Sequence, residues 1–251
     1  MKKSIKAIIC AASAVVMCAA PTIPALSGTL APMAITAEAA SGELFFEAHP
    51  YNNTKMVYAF NVVYSLDYQN HEALPYFLTD IAKKYPSFFN YEVVLPSYIE
   101  YNNEKFYIKR TGGSFLYNES NIRNVDLSNC KYLESIGGTA FEKTSISEIT
   151  IPSSVKEIIK GAFRQCNQLK KVTFEGGTSD ALTIESDAFS GNNPIEIIND
   201  RSNVKFTDSI YFPQGKTPTP FGDNNAKSAG SKKTVITNVT GKYKNAFNKY
   251  K

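Results

Sequence analysis

The feature that most constrains how this 251-residue chain folds is a repeat in its middle third. An Ala-Phe pair recurs three times, at intervals of 22 and 26 residues, and a short β-type run precedes each pair. A period of 20 to 30 residues is typical of a solenoid, in which each coil buries its inner face only against the next coil. We predict that the core of these coils contains the strand ends and the phenylalanines of the pairs, namely Leu127, Phe141, Ile151, Phe163, Phe174 and Phe189.

Each coil opens with a run in which apolar and polar residues alternate, and this alternation predicts a strand with one buried face. The runs read NVDL from Asn124, EITI from Glu148 and KVTF from Lys171, and PIEIIN from Pro194 resembles a degenerate fourth strand. At about 25 cal/mol per Å² of buried apolar surface, no single coil offsets its own ordering entropy. We therefore expect about three to four coils over residues 122–200, with the flanking segments capping the stack.

Four segments, SIGGTAF, ITIPSSVKEI, KGAFRQC and NQLKKVTF, resemble the BspA-type leucine-rich repeats of bacterial secreted and surface proteins. The second repeat follows that family's pattern nearly throughout, although Ile159 stands where glycine is usual, and the third repeat carries an insertion and lacks the proline. The resemblance implies an adhesion-type scaffold that binds a protein partner and has no known catalytic residues and no cofactor. It also implies a binding surface on the outward strand positions, whose candidates are Asp126, Glu148, Thr150 and Thr173.

Residues 1–39 have the pattern of a secretory signal peptide. A basic start with Lys2, Lys3 and Lys6 precedes an apolar run, and small residues end the segment at Ala39 and Ala40. The apolar run is too short for a membrane span of about 20 residues. We expect a secreted or cell-surface-associated bacterial protein, with no transmembrane segment after the signal is removed.

The Tyr-rich residues 40–121 predict a small α+β region that caps the solenoid. Apolar residues between Ala73 and Tyr85 fall on one helical face, and Met56 to Tyr64 fits a helix or a strand, of which we favour the helix. A β-hairpin is expected across Asn102, Asn103 and Glu104. Tyrosine rings also stack on sugars, so the alternative function is a glycan-binding or cell-wall-binding module in this region.

The final segment, residues 201–251, is strongly basic, with ten lysines or arginines and two acidic residues. Its net charge of about +8 contrasts with an acidic body, and it is rich in Pro, Gly, Asn and Ser between Gly215 and Ser231. We predict a mostly disordered tail, with an isolated strand near Val235–Val239. Such a tail either keeps the chain soluble or binds an anionic cell-wall polymer. Nucleic acid is not an expected partner of an exported chain.

Known catalytic and metal-binding motifs are absent from the sequence, and we predict that the chain is not an enzyme and holds no metal. His49 and His71 are isolated, and no nucleophile elbow, zinc-binding motif or phosphate loop occurs. Carboxylate pairs that meet only in space stay possible. Cys130 and Cys166 occupy different phases of the coil, which favours two core thiols over a disulfide.

Overall fold

The structure is a computed structural model that describes residues 39–41, 43–46, 55–59, 61–177, 181–208, 219–224, 230 and 232–250. The predicted signal peptide lies outside these residues, apart from Ala39. The first half of the described chain contains the elements β1 Ala39–Ser41, β2 Glu43–Phe46, β3 Lys55–Ala59, β4 Val62–Asp67, β5 Glu72–Leu78, α1 Asp80–Lys84, the 3₁₀ turn Pro86–Phe89, β6 Glu92–Val94, β7 Tyr98–Tyr101 and β8 Glu104–Tyr107.

Seven of these strands form one mixed sheet in the order β1-β7-β8-β5-β4-β3-β2. The pairs β1/β7 and β5/β8 are parallel, and the others are antiparallel. The predicted hairpin is present as β7 and β8. Its turn residues Asn102 and Asn103 have φ angles of 51° and 62°, a left-handed conformation that asparagine tolerates in two-residue hairpin turns.

The helix that we favoured over residues 56–64 is wrong, and so is most of the helix expected between Ala73 and Tyr85. The first segment forms β3 and part of β4, and the second forms β5, with only Asp80–Lys84 helical. The first half of β4 is buried on both faces, since Val62, Val63 and Tyr64 are all fully buried. A run buried on both faces lacks the alternation that marks a strand, so its pattern also fits a helix.

Two parallel sheets build the solenoid, together with a short parallel pair of β6 and β9. One sheet has the order β11-β13-β15-β17 and the other has the order β10-β12-β14-β16. The strands are β9 Asn124–Asp126, β10 Ser135–Ile136, β11 Glu148–Ile151, β12 Glu157–Ile158, β13 Lys171–Phe174, β14 Leu182–Glu185, β15 Ile195–Asn199, β16 Val204–Thr207 and β17 Ile236–Thr240. The degenerate fourth strand predicted near Pro194 is therefore present as β15.

Within the described residues, each coil has two sides formed by the two sheets and a third side without a strand. A stack of phenylalanines lines the inside of this third side. Phe141 and Phe163 have ring centroids 5.2 Å apart, and Phe163 and Phe189 have centroids 5.1 Å apart with planes only 7° from parallel. Backbone hydrogen bonds run between the coils here, as from Phe141 N–H to the Ala162 carbonyl at 2.8 Å. All six predicted core residues, including these three, are at most 2% exposed.

The repeating contacts begin before residue 122, where the solenoid was expected to start. The Phe115 ring packs edge-on against Phe141 at 6.2 Å, and Leu116 N–H donates to the Ala140 carbonyl. A parallel bridge also joins Arg110 to Ser135 at the start of the second sheet. The chain therefore enters the solenoid directly from the N-terminal sheet, and one continuous core joins the two.

The described part of the C-terminal segment is folded, unlike the mostly disordered tail that we expected. Most of Gly215–Ser231, on which that expectation depended, lies outside the described residues. The strand β17 is not isolated, because it pairs in parallel with β15. Phe247, from the 3₁₀ helix Lys244–Tyr250, is fully buried, and its ring stacks on Phe174 at 5.2 Å. Phe221 continues the phenylalanine stack, 5.7 Å from Phe189. A few spaced apolar side chains are enough to cover the open end of the last coil.

Candidate functional site

The candidate site lies on the outward side of the sheet β11-β13-β15-β17. Parallel pairing aligns the outward side chains in two rows that run across the strands. We call these two rows the strand face, and they contain Glu148, Lys171, Glu196 and Asn238 in one row and Thr150, Thr173, Ile198 and Thr240 in the other. The alternate residues of the same strands, such as Ile149 and Val172, are buried.

Three of the four predicted binding residues meet on this face. Thr150 and Thr173 are direct partners in the β11/β13 ladder, and Glu148 is the partner of Lys171. The fourth, Asp126, lies on β9, which pairs with β6 rather than with β11. Its Oδ1 accepts a hydrogen bond of 2.8 Å from the Ser128 N–H, as expected of an aspartate that turns the chain after a strand.

An open depression of about 620 Å³ crosses the strand face where the strands begin. Its lining consists of Ser147, Glu148, Lys170, Lys171, Pro194, Glu196 and Thr237. Lys171 Nζ lies 3.0 Å from Glu148 Oε2, and this ion pair is exposed enough to contribute little to stability. Lys171 and Glu148 can therefore give up their contact with each other and contact a partner instead.

Of the seven residues that line this depression, sequence reasoning predicted only Glu148 as a binding residue. Lys171 stands at the same repeat position as Glu148, so the repeat itself carried a signal for it. Glu196 and Thr237 belong to β15 and to β17, which follow the region where the repeat pattern is clear. Their place on the face depends on the strand register, which the sequence does not display.

A second cleft, of about 730 Å³, lies between the N-terminal sheet and the sheet that contains β10 and β12. Two of its cations pair internally, with Arg110 Nε 2.7 Å from Glu72 Oε1 and Arg164 Nη2 2.8 Å from Glu142 Oε2. At Gly137, a Cβ atom would lie 2.6 Å from the Thr111 carbonyl oxygen. Because the backbones approach closely here and the cations pair with carboxylates of the same chain, we interpret this cleft as the packing contact between the N-terminal sheet and the solenoid.

The two cysteines of the described chain are free and buried, as expected of core thiols. Cys166 Sγ lies 3.0 Å from the Phe141 carbonyl oxygen, and Cys130 Sγ lies 3.2 Å from that of Leu95. Burial raises the pKa of Cys166 from 9.0 to about 11 and raises the pKa of Cys130 further. Both groups are therefore neutral thiols at pH 7 and poor nucleophiles.

A chain that starts at Ala40 is expected to show no rapid reaction with a thiol reagent such as DTNB at pH 8, and two reactive thiols in guanidinium chloride. The raised pKa of Cys166 stabilises the fold fully below pH 9, the ordinary value, and this contribution is lost as the pH rises from 9 to about 11. Urea unfolding between pH 8 and pH 11 measures the second effect. Two thiols that react rapidly in the folded chain would contradict the burial of both.

The described residues contain no helix that is long and apolar enough to cross a membrane. The same part of the chain contains no group of three or more His, Cys, Asp or Glu side chains placed to hold a metal ion.

Stacked coils, two parallel sheets and a continuous phenylalanine stack define a leucine-rich-repeat type of solenoid. Residues 97–217 match the family described as the BspA type leucine rich repeat region, in six copies. That segment, just under half of the chain, therefore consists of BspA-type leucine-rich repeats.

Solved structures share this fold at low sequence identity. The pneumococcal vaccine antigen PcpA matches with a TM-score of 0.51 and 16% identity, over 76% of this chain and 50% of that one. A leucine-rich repeat protein from Bacteroides capillosus matches with a TM-score of 0.39 and 15% identity, over 74% of this chain and 98% of that one. This chain thus spans half the length of the pneumococcal chain that it matches. None of the curated proteins matches the chain.

Proposed function

We propose that this protein is a secreted or cell-surface-associated interaction module that binds an extracellular protein through the strand face. The partner is a host protein, a matrix protein or another surface protein. The proposed role is binding and adhesion without catalysis, and it assigns no cofactor.

The observation that carries this proposal is that each strand of the sheet has one buried side and one exposed side. Inward residues such as Ile151 and Phe174 are fully buried and hold the coils together, whereas Glu148, Thr150 and Glu196 are exposed. Parallel register repeats this arrangement across four strands. The outward side chains therefore contribute little to the core, and they form a mostly polar surface, with the half-buried Ile198 in its second row and an open depression at one end. Such a surface suits a protein partner.

A surface location is supported by two further observations. The sequence begins with the pattern of a secretory signal peptide, and a pneumococcal vaccine antigen shares the fold. Under this proposal the domain organisation is a signal peptide over residues 1–39, the Tyr-rich sheet region, the repeats, and a C-terminal segment that closes them.

The test is a binding assay of the chain that starts at Ala40 against a panel of purified extracellular matrix proteins, by biolayer interferometry. A variant with Thr150→Arg and Thr173→Arg places two bulky cations in the middle of the strand face. We expect it to bind at least tenfold more weakly than the wild type, because arginines at an interface core clash with a partner shaped for threonines.

The matched control is Thr183→Arg, which places an arginine beside Lys205 and so creates two neighbouring cations on the outward side of the other solenoid sheet. This variant is expected to bind as the wild type does. Equal affinities of both variants and the wild type for every bound protein would show that the strand face is not the binding surface.

The glycan-binding alternative is supported by one cluster of rings. Tyr107 packs edge-on against Tyr132 at 4.7 Å and lies 5.8 Å from Tyr98, and Tyr132 is 47% exposed. The planes of these rings are tilted against one another by 56° to 68°. A sugar could therefore stack on one ring at a time, since the rings do not form one flat surface. Binding to purified peptidoglycan that is lost in Tyr132→Ala, but kept in the strand-face variant, would favour this alternative.

Binding of an anionic cell-wall polymer is the further role proposed for the basic C-terminal segment. Although this segment packs on the solenoid, its lysines at positions 205, 242, 244 and 249 stay exposed. Lys249 Nζ lies 4.9 Å from the Tyr250 ring centroid and 4.8 Å from that of Phe206, so the folded cap presents this cation at a fixed place. Salt-sensitive binding to teichoic acid would support this role.

A further inference from the structure

The most unusual surface feature of the described chain is a pair of exposed aromatic rings beside two lysines, which we call the aromatic tip. The tip consists of Lys83, Lys84, Tyr85 and Phe88, where α1 ends and the 3₁₀ turn Pro86–Phe89 follows. Phe88 is 55% exposed and Tyr85 is 44% exposed. Their rings stack on each other with centroids 5.4 Å apart, and Lys84 Nζ lies 5.3 Å from the Tyr85 ring centroid.

The backbone holds the aromatic tip in a fixed position. Asn90 N–H donates to the Ser87 carbonyl, and Tyr91 N–H donates to the Pro86 carbonyl at 3.0 Å. Tyr91 has a φ of 58°, which is uncommon for a tyrosine, and its ring lies 4.3 Å from the Arg123 guanidinium carbon. The exposed rings are thus displayed by an ordered turn.

The chemistry of the tip fits the interface of a lipid bilayer better than a sugar or a folded protein pocket. Residues 81–91 contain two lysines and four aromatic residues, and no acidic residue. Phenylalanine has no group that bonds a sugar hydroxyl. A ring that enters the acyl boundary beside lysines that reach anionic headgroups is the arrangement used by interfacial membrane anchors.

We propose that the aromatic tip is a weak, reversible contact site for an anionic lipid surface. Phe88 and Tyr85 insert at the headgroup level, and Lys83 and Lys84 contact lipid phosphates. Lys83 Nζ lies 3.6 Å from Glu119 Oε1, and the lysine of this pair is exposed whereas the glutamate is half-buried, so a headgroup contact of Lys83 competes with a weak surface ion pair. This site is distinct from the strand face, so lipid contact would leave that face available for a protein partner.

The chain has no tryptophan, so a single introduced one reports on its own position. In the Phe88→Trp variant, we expect the fluorescence to shift to the blue when vesicles of 30% phosphatidylglycerol in phosphatidylcholine are added. Half-saturation is expected near about 1 mM accessible lipid, since one inserted ring pair and two lysines make a weak contact. Pure phosphatidylcholine vesicles, 0.5 M NaCl, or the added substitutions Lys83→Gln and Lys84→Gln should each reduce the shift.

The matched control is Tyr117→Trp, which replaces an aromatic residue that is 44% exposed and has Lys143 Nζ 5.2 Å from its ring centroid. It is expected to show no shift with the same vesicles. Co-sedimentation of wild type and Phe88→Ser with vesicles gives a second readout, in which only the wild type should sediment. The proposal is overturned if Phe88→Trp does not shift, if both tryptophans shift equally, or if lipid-free cell-wall fragments alone cause the shift.

Discussion

Replacing Phe163 with alanine is expected to lower the free energy of unfolding by about 3–5 kcal/mol, the range observed when a buried phenylalanine is truncated to alanine. Phe163 stands in the middle of the phenylalanine stack, is fully buried, and contacts a stacked ring on both sides. Its loss leaves a cavity between two coils that cannot close without shifting the ladder between them. Urea unfolding, followed by circular dichroism, measures the change.

The control for this prediction is Phe163→Leu, which keeps most of the apolar volume and removes only the ring. Its cost should be clearly smaller than that of alanine, because volume-conserving core changes are tolerated best. A loss below about 1 kcal/mol for the alanine variant would mean that the stack does not hold the coils together.

Ending the chain after Asp208 is expected to abolish cooperative folding of the last coils. The truncation removes β17, Phe221 and Phe247, and it exposes the ring faces of Phe174 and Phe189 that they cover. A solenoid with an uncapped end presents apolar surface and unpaired strand groups to water. The truncated chain should bind the dye ANS and aggregate, and its unfolding transition should broaden.

A graded comparison for the truncation is Phe247→Ala in the full chain. This variant keeps β17 and the basic charge but removes the ring that stacks on Phe174, so it should lose about 3 kcal/mol or more and remain monomeric. A truncated chain that is monomeric and unfolds as sharply as the full chain would show that residues 219–250 are dispensable for the fold.

The repeats were predictable because one pattern sets both the secondary structure and the core. The strand ends and the Ala-Phe pairs repeat at nearly constant spacing, and all the phenylalanines chosen from that spacing are buried. The N-terminal sheet was not predictable in the same way. β4 begins with three apolar residues that do not alternate with polar ones, and β5 contains Pro75, so the local pattern did not separate strand from helix.

The C-terminal segment shows a different limit of sequence reasoning. Its polar, Pro-rich and Gly-rich composition suggests disorder, yet Phe221, Ile236, Val239 and Phe247 are buried. These residues come from three separate places in the segment, Phe221, the strand β17 and the final 3₁₀ helix, and they follow no period. They come together only because the last coil offers them an apolar end. The strand face was predictable where the repeat is clear, at Glu148, Thr150 and Thr173, and not where β15 and β17 extend it.

The most direct test of a single cooperative solenoid is amide hydrogen exchange on the chain that starts at Ala40, with the C-terminal segment and β13 compared in one experiment. The strand face requires that the repeats and β17 unfold together, since Thr237 completes its depression. The Tyr243 N–H donates to the Asn199 carbonyl of β15 at 2.9 Å, and we expect this amide to be protected to within about tenfold of that of Val172 in β13. Exchange of Tyr243 at the rate of an unfolded chain, with Val172 protected, would contradict a single cooperative body.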